Sequence, residues 1–287
     1  MESVNRNRKE HRAWSMAEGS KERKEEMKLN GQLFQGHNFQ LFIQFTKREF
    51  LTRYKQSFMG IGWAIMQPLF MMAIFSVIFG GFAKIPSDNI PYPIFSYTAL
   101  LPWAFLSTSI NTGVNSLVSN TSLITKVYFS RELLPFASIT TAVLDFMIAA
   151  IIFCGMLLWY RIDLTIYTFL FAPLFILQVS MVAAVVLILS IWNVRYRDVR
   201  HGLPLIIQCW MYASPVVYPL SLVPEKWRTL YLMNPMAGLI NSYRLIFLQG
   251  QPPRVTEILP AFIFALIGLP LSYLYFKKAE KSFADII

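Results

Sequence analysis

RYKQSFMGIGWAIMQPLFMMAIFSVIFG, residues 53 to 80, decides the fold class of this chain. Arg53 and Lys55 precede Gly60, and the next charge after Gly60 is Lys84. The uncharged run between them is long enough to cross the roughly 30 Å hydrocarbon core of a bilayer. A basic, water-seeking segment therefore passes directly into a membrane span. Pro68 sits inside that span, where it removes a backbone hydrogen bond, so a bent helix packed against neighbours is expected. Just upstream, Phe39, Phe42, Ile43, Phe50 and Tyr54 recur at helical spacing, with Gln40, Gln44, Lys47, Arg48 and Lys55 mostly between them. This pattern describes an amphipathic helix lying in the membrane interface, aromatic face down and cations toward anionic headgroups. A soluble core helix would share the pattern, but the span that follows at once argues against it.

Of the 287 residues, 55 % are hydrophobic and 15 % charged, with 24 Phe, which is outside the range of soluble domains. The chain reads as an all-α polytopic membrane protein. The formal charge of +10 would suit a nucleic-acid partner if it were spread evenly, but it is not. No cleavable signal sequence is expected, because residues 1–30 are polar and charged without an apolar core region. The same residues mix charge signs without apolar periodicity and read as a disordered tail. Cys154 and Cys209 lie in apolar runs and read as packing residues, so neither a disulfide nor a zinc site is expected.

Working outward, spans are expected at about 60–82, 94–110, 134–160, 166–192, 203–219 and 258–276. The 111–132 stretch is too polar for lipid and reads as a loop carrying a short helix. The 203–219 run is interrupted by Pro204 and Pro215 and is expected to end early. The apolar run 236–248 is too short to cross and holds Arg244, which suits a re-entrant or interfacial helix. With the N-terminus in the cytoplasm, the inside segments carry 20 Lys and Arg and the outside segments 6. The positive-inside rule therefore places both ends in the cytoplasm.

No catalytic constellation emerges. The sequence has no phosphate-cradling G-x-x-x-x-G-K-[ST] motif, no H-E-x-x-H and no nucleophile elbow, and His11, His37 and His201 are far apart. No metal site and no cofactor bound by this chain are expected, and any ATP-driven role requires a separate ATPase subunit. Asp145 is the one acid well inside a span, and such residues are costly in lipid. It is expected to join two helices, protonated or hydrogen-bonded, with Gln178 and Ser180 at the same depth; a proton relay is the competing reading. Arg195, Arg197, Asp198 and Arg200 read either as orientation determinants with local ion pairs or as contacts for an acidic partner surface. Leu123, Ile124, Val127, Tyr128 and Phe129 are apolar on a cytoplasmic segment and need cover, from a docked partner or from the protein's own spans. Most aromatics belong to interfacial belts or the lipid face. Among them Trp63, Phe70, Trp210, Tyr212 and Tyr218 are candidates for lining a path, since aromatic rings stack on the C–H faces of sugars.

Six segments carry a resemblance, in order: RYKQSFMGIGWAIMQPLF (53–70), LLPWAFLSTSI (100–110), SLVSNTSLITKVYFSRELLP (116–135), NVRYRDVRH (193–201), SPVVYP (214–219) and LVPEKWRTLYLMNPMAGLINSYR (222–244). Together they resemble the permease subunits of bacterial polysaccharide ABC exporters, the type-2 exporters for O-antigen, capsule and teichoic acid, and are most similar to the O-antigen type. The resemblance implies a homodimer of six-span subunits in the inner membrane, each docked on a cytoplasmic ATPase subunit that binds ATP and Mg. It implies that the interfacial helix and the loop after the second span meet that ATPase, here through Phe42, Phe50, Leu123, Ile124, Lys126, Tyr128 and Arg131. It implies a pore at the dimer interface and an outer gate built from the short helices after the fifth span, with Pro224, Trp227, Asn234 and Arg244. Arg53 and Lys55 would then meet the pyrophosphate of a lipid-linked glycan. The rival classes are an ion-coupled secondary transporter and a membrane-embedded glycosyl- or acyltransferase, which predict internal repeats or an acidic or His–Asp cluster; neither feature is present in the sequence.

Overall fold

The computed structural model describes residues 38–55, 58–127 and 129–280, so the 1–30 tail and Tyr128 lie outside the described residues. The described residues form helices joined by turns and loops, without strands. By backbone contact the chain divides after Gln44. The part before the division is described over 38–44, which is helical, with Phe39 and Ile43 exposed and Phe42 on the same stretch. The second unit, Phe45–Ile287, holds the other elements.

Helix α1 covers 38–54. It is followed by α2 (Gly62–Phe75, continued as a wider π-helical stretch Ser76–Phe82), α3 (Tyr92–Ser119), α4 (Thr121–Lys126), α5 (Leu133–Trp159), α6 (Phe171–Arg195, led in by a 3-10 turn from Ile166), α7 (Asp198–Tyr212), α8 (Glu225–Leu232), α9 (Pro235–Arg244) and α10 (Val255–Glu280). Gly60 sits between α1 and α2 with φ +52°, a turn that a side chain would strain. Among the described residues four segments are long and apolar enough to cross a membrane: Gly62–Phe82, Leu133–Trp159, Ile166–Arg195 and Val255–Glu280. They coincide with the first, third, fourth and last expected spans.

Helix α3 is the axis of the bundle, packed against α2, α5, α6, α7 and α9. The polar 111–132 stretch, expected as a loop carrying a short helix, does hold a short helix, α4, but its first part extends α3 to Ser119. Its polar side chains stay in the helix by bonding back to their own backbone: Asn111 Nδ2 to Ser107 O (2.9 Å), Thr112 Oγ1 to Thr108 O (2.8 Å) and Asn115 Nδ2 to Asn111 O (2.7 Å). Asn193 of α6 closes the contact by donating to Val114 O at 3.0 Å. Lipid cannot draw helices together by the hydrophobic effect, so close packing must do so, and small residues mark the crossings. A Cβ on Gly113 would lie 2.6 Å from Val186 Cγ1, where α3 meets α6, and one on Gly238 would lie 1.8 Å from the carbonyl oxygen of Glu257, where α9 meets the start of α10.

The fifth expected span, 203–219, ends early as expected: it lies in a 15-residue helix ending at Tyr212, beyond which the chain turns through Ala213–Pro219. Pro215 prevents the helix from continuing. Cys154 and Cys209 are free thiols on the exposed faces of α5 and α7, not packed in the core.

Candidate functional site

The part of α1 from Phe45 onward presents a polar row to α5. Arg53 Nη1 donates to Asp145 Oδ2, Tyr54 Oη donates to Asp145 Oδ1 at 2.6 Å, and Ser138 Oγ donates to Glu49 Oε2 at 2.7 Å. Glu49 and Arg53 also face each other along the helix at 3.6 Å. Burial raises the Glu49 carboxyl above its ordinary range, against the lowering effects of the Ser138 hydrogen bond and the Arg53 and Arg48 charges. Burial, reinforced by Asp145, also raises the Tyr54 phenol, which therefore remains a donor. This corrects the expected partnership of Asp145 with the fourth span. Gln178 instead donates to Pro102 O and accepts from Tyr243 Oη, both at 2.8 Å, and Ser180 bonds to Ile176 O on its own helix. Depth counted along a sequence gives the level of a residue, not the direction in which the helix turns it.

Arg53, Tyr54 and Asp145 line one end of a cleft of about 420 Å³ whose other walls include Trp63, Gln67 and Thr108. A second recess of about 270 Å³, between α2, α3 and α7, shares Gln67, Pro68, Ala104 and Thr108 with the first and adds Ser107, Asn111 and Gln208. The two adjoin along α3 as a mostly apolar groove into which the polar side chains of Arg53, Tyr54, Gln67, Thr108, Asn111 and Asp145 are set. Lys55 is exposed next to Arg53 in sequence. Of the candidate path aromatics, Trp63 lines the cleft and is 49 % exposed, while Phe70 lies two turns further along α2 and is also exposed. Trp210 is half-buried, edge-on to Trp103 at 5.8 Å, and Tyr212 is exposed. The Tyr218 hydroxyl meets Tyr212 O and Tyr231 Oη, both at 3.1 Å.

At the opposite end, two of the expected gate residues, Arg244 and Asn234, hold a turn of the chain. Arg244 is buried, its guanidinium 3.7 Å from the Phe95 ring centroid. It donates to the carbonyls of Pro215 (2.6 Å), Val216 (2.8 Å) and Tyr218 (3.2 Å), and Tyr92 Oη holds Val217 O at 2.6 Å. Asn234 caps α9, accepting from Met236 N and from Trp210 Nε1, and donates to Ala213 O and Ser214 Oγ. Both side chains therefore hold the turn that ends α7. Pro224 precedes α8, and Trp227 is exposed on it with Lys226 5.6 Å from its ring.

The basic end is tied together. Arg48 Nη2 donates to Asn120 Oδ1, and Phe45 packs on Phe129 at 5.2 Å. Lys277 Nζ binds Glu132 at 2.6 Å and Glu280 at 3.1 Å, while the Arg131 backbone N–H donates to Glu280 Oε1 at 2.8 Å. Ile124 and Phe129 are thus covered by the protein itself, and Leu123 is half-buried, whereas Lys126 and Val127 remain exposed. Phe50 packs on Tyr54 at 5.1 Å. Asp198 forms no ion pair with Arg195, Arg197 or Arg200 among the described residues; it occupies the first turn of α7, where a carboxylate complements the helix dipole.

A family model described as ABC-2 type transporter matches residues 40–248, taking in α2 to α9 and the whole groove. The chain belongs to the ABC-2 type transporter family. It is 30 % identical to the O-antigen export system permease protein RfbA of Myxococcus xanthus, over 86 % of this chain and 95 % of that protein. It is 27 % identical to the protein of the same name from Klebsiella pneumoniae, over 88 % and 96 %, and 22 % identical to the polysialic acid transport protein KpsM of Escherichia coli, over 82 % and 92 %. As a member of this family the chain is a membrane-embedded transport subunit, a permease, and ATP hydrolysis lies on a partner ATPase subunit. Sequence reasoning missed Glu49, Ser138, Glu132, Lys277 and Glu280 as members of the site's framework. The Glu49–Arg53 spacing of four residues was the one available signal, since it places both on a single helix face.

Proposed function

We propose that the chain is the permease of an ATP-driven exporter that carries lipid-linked polysaccharide of the O-antigen type outward across the bacterial inner membrane. It works as a homodimer, each copy docked on an ATPase that binds the ATP and Mg, and this chain binds no cofactor itself. The observation that carries this reading is the groove along α3, with Arg53 and Asp145 set among apolar residues and Trp63 on its wall, in a chain whose relatives are named for O-antigen and polysialic acid transport. Helices α3 and α7 complete six spans with both ends in the cytoplasm; α3, with 28 residues, is about 42 Å long, enough to cross. In this arrangement the exposed Lys126 and Val127 face the ATPase. The turn held by Arg244 and Asn234, with α8, forms the outer end of the path.

The pyrophosphate meets the cations at the inner mouth, and because Arg53 is already paired with Asp145, the glycan's anion competes with that carboxylate. The test is transport of a fluorescent lipid-linked glycan into vesicles holding the permease and its ATPase. Transport requires both subunits; transport without the ATPase would overturn the reading. Arg53→Gln is expected to lower transport about tenfold through loss of a charge-assisted phosphate contact. Asp145→Asn, which frees Arg53, is expected to leave transport within about threefold of wild type. Equal losses in both, with no further loss in the double variant, would make the pair a structural tie and remove Arg53 from substrate binding.

A further inference from the structure

Helices α6 and α10 run side by side, both starting at the end of the bundle away from Lys277, and leave a groove of about 580 Å³ between them. Its walls are nearly all apolar: Pro173, Leu177 and Ser180 from α6, and Ile258, Phe262 and Leu269 from α10. This groove is separate from the one along α3, and both of its walls are membrane-crossing segments, so it opens onto hydrocarbon.

Its length matches one leaflet. From Ile258 to Pro270 α10 rises about 18 Å, and from Leu170 to Ser180 the facing helix rises about 15 Å. Half of a bilayer's hydrocarbon core is roughly 15 Å deep. A cation adjoins this lining in the chain. Arg254 stands immediately before α10, one helical turn from Ile258 and next to the lining residue Pro253. Its side chain is 64 % exposed, and its ion pair, to Glu257 at 3.6 Å, is long. Glu257 is itself 3 % exposed and takes a shorter hydrogen bond, 2.6 Å, from Asn241. The Arg254 guanidinium therefore keeps donors to offer at headgroup level.

We infer that this groove is a lipid site: it holds one acyl chain of an anionic phospholipid, whose phosphate rests on Arg254. The adjoining cation and single-leaflet depth together select this occupant. A second protein chain seated there would have to match a narrow apolar slot that ends halfway through the bilayer. A site of this kind would seal the α6–α10 seam while the α3 side of the bundle does its work. It stands whichever way the chain faces, and does not depend on the substrate.

The permease with its ATPase, purified in mild detergent, is examined by native mass spectrometry after exchange into phosphatidylglycerol or phosphatidylcholine of equal chain length. Wild type is expected to retain about one lipid per permease chain, with about fivefold preference for phosphatidylglycerol, the effect of one cation near a lipid headgroup. Arg254→Gln is expected to lose that preference while still holding phosphatidylcholine. Ala265→Trp, which fills the floor of the groove, is expected to weaken retention of both lipids at least about tenfold. Ser180→Phe on the opposite wall is the second filling variant should Ala265→Trp fail to fold. Unchanged retention in a folded filling variant, or an unchanged preference in Arg254→Gln, would overturn the site. Loss of oligomer mass without a change in bound lipid would also overturn it, by showing the groove to be a protein contact.

Discussion

Replacing Arg244 with alanine is expected to remove about 3–5 kcal/mol of stability, the scale of two or three buried carbonyls left without their donor. Three carbonyls, those of Pro215, Val216 and Tyr218, take their hydrogen bonds from this one guanidinium at 2.6, 2.8 and 3.2 Å. They lie in a turn where water cannot replace it, and each orphaned buried acceptor costs about 1–3 kcal/mol. Lysine would keep the charge but not the planar fork, so Arg244→Lys is expected to recover less than half of the loss. Phe95→Leu, which removes only the ring beneath the cation, is expected to cost about 1–2 kcal/mol. The measurement is thermal unfolding of the purified protein in detergent, followed by loss of the monodisperse peak. A melting temperature for Arg244→Ala matching that of wild type would mean that the turn after α7 is held by something else. Because that turn ends α7 and leads to α8, transport is expected to fall with it, even at temperatures where the bundle remains folded.

Gly238→Ala is expected to cost about 3 kcal/mol or to block assembly, at the upper end of overpacking effects. The added methyl would lie 1.8 Å from the carbonyl oxygen of Glu257. That atom belongs to the backbone of α10 and cannot rotate aside, so the two helices must separate and the Asn241–Glu257 hydrogen bond must lengthen. Gly113→Ala meets Val186 Cγ1 at 2.6 Å, a side-chain atom that can move, so about 1 kcal/mol is expected. Gly155→Ala meets nothing within 4 Å and is expected to be neutral or to gain a few tenths of a kcal/mol from helix propensity. The order Gly238, Gly113, Gly155 in melting temperature is the test. Equal effects at all three positions would show that backbone propensity, not helix approach, governs these glycines.

Much of the framework was legible in the residues. The uncharged run after Gly60, the long apolar runs of α5, α6 and α10, and the break at Pro215 each follow from composition and proline chemistry. They appear at the expected places. The polar last third of α3, residues 111–119, reads as loop because side chains such as Asn111, Thr112 and Asn115 look unsuited to lipid. They are satisfied by their own helix and by Asn193, and the helix lies inside the bundle. Asp145 stands out in the sequence as an acid within an apolar run, but its partners lie on α1 and not on the fourth span. A one-dimensional count cannot say which face of α5 looks toward α1.

By itself the sequence determined that this is an all-helical membrane protein with no phosphate-binding loop of its own, because hydrophobic run length and motif chemistry are local properties. It also determined the family, since the motifs that carry the resemblance keep their order along the chain. Only the tertiary structure decided which polar groups meet. It paired Arg53 and Tyr54 with Asp145, set Arg244 as a buried clamp on the turn after α7, and opened the α6–α10 groove below Arg254. The physical reason is that hydrogen bonds and close helix approach depend on azimuth and separation over tens of residues, for which a single chain of letters carries no coordinate.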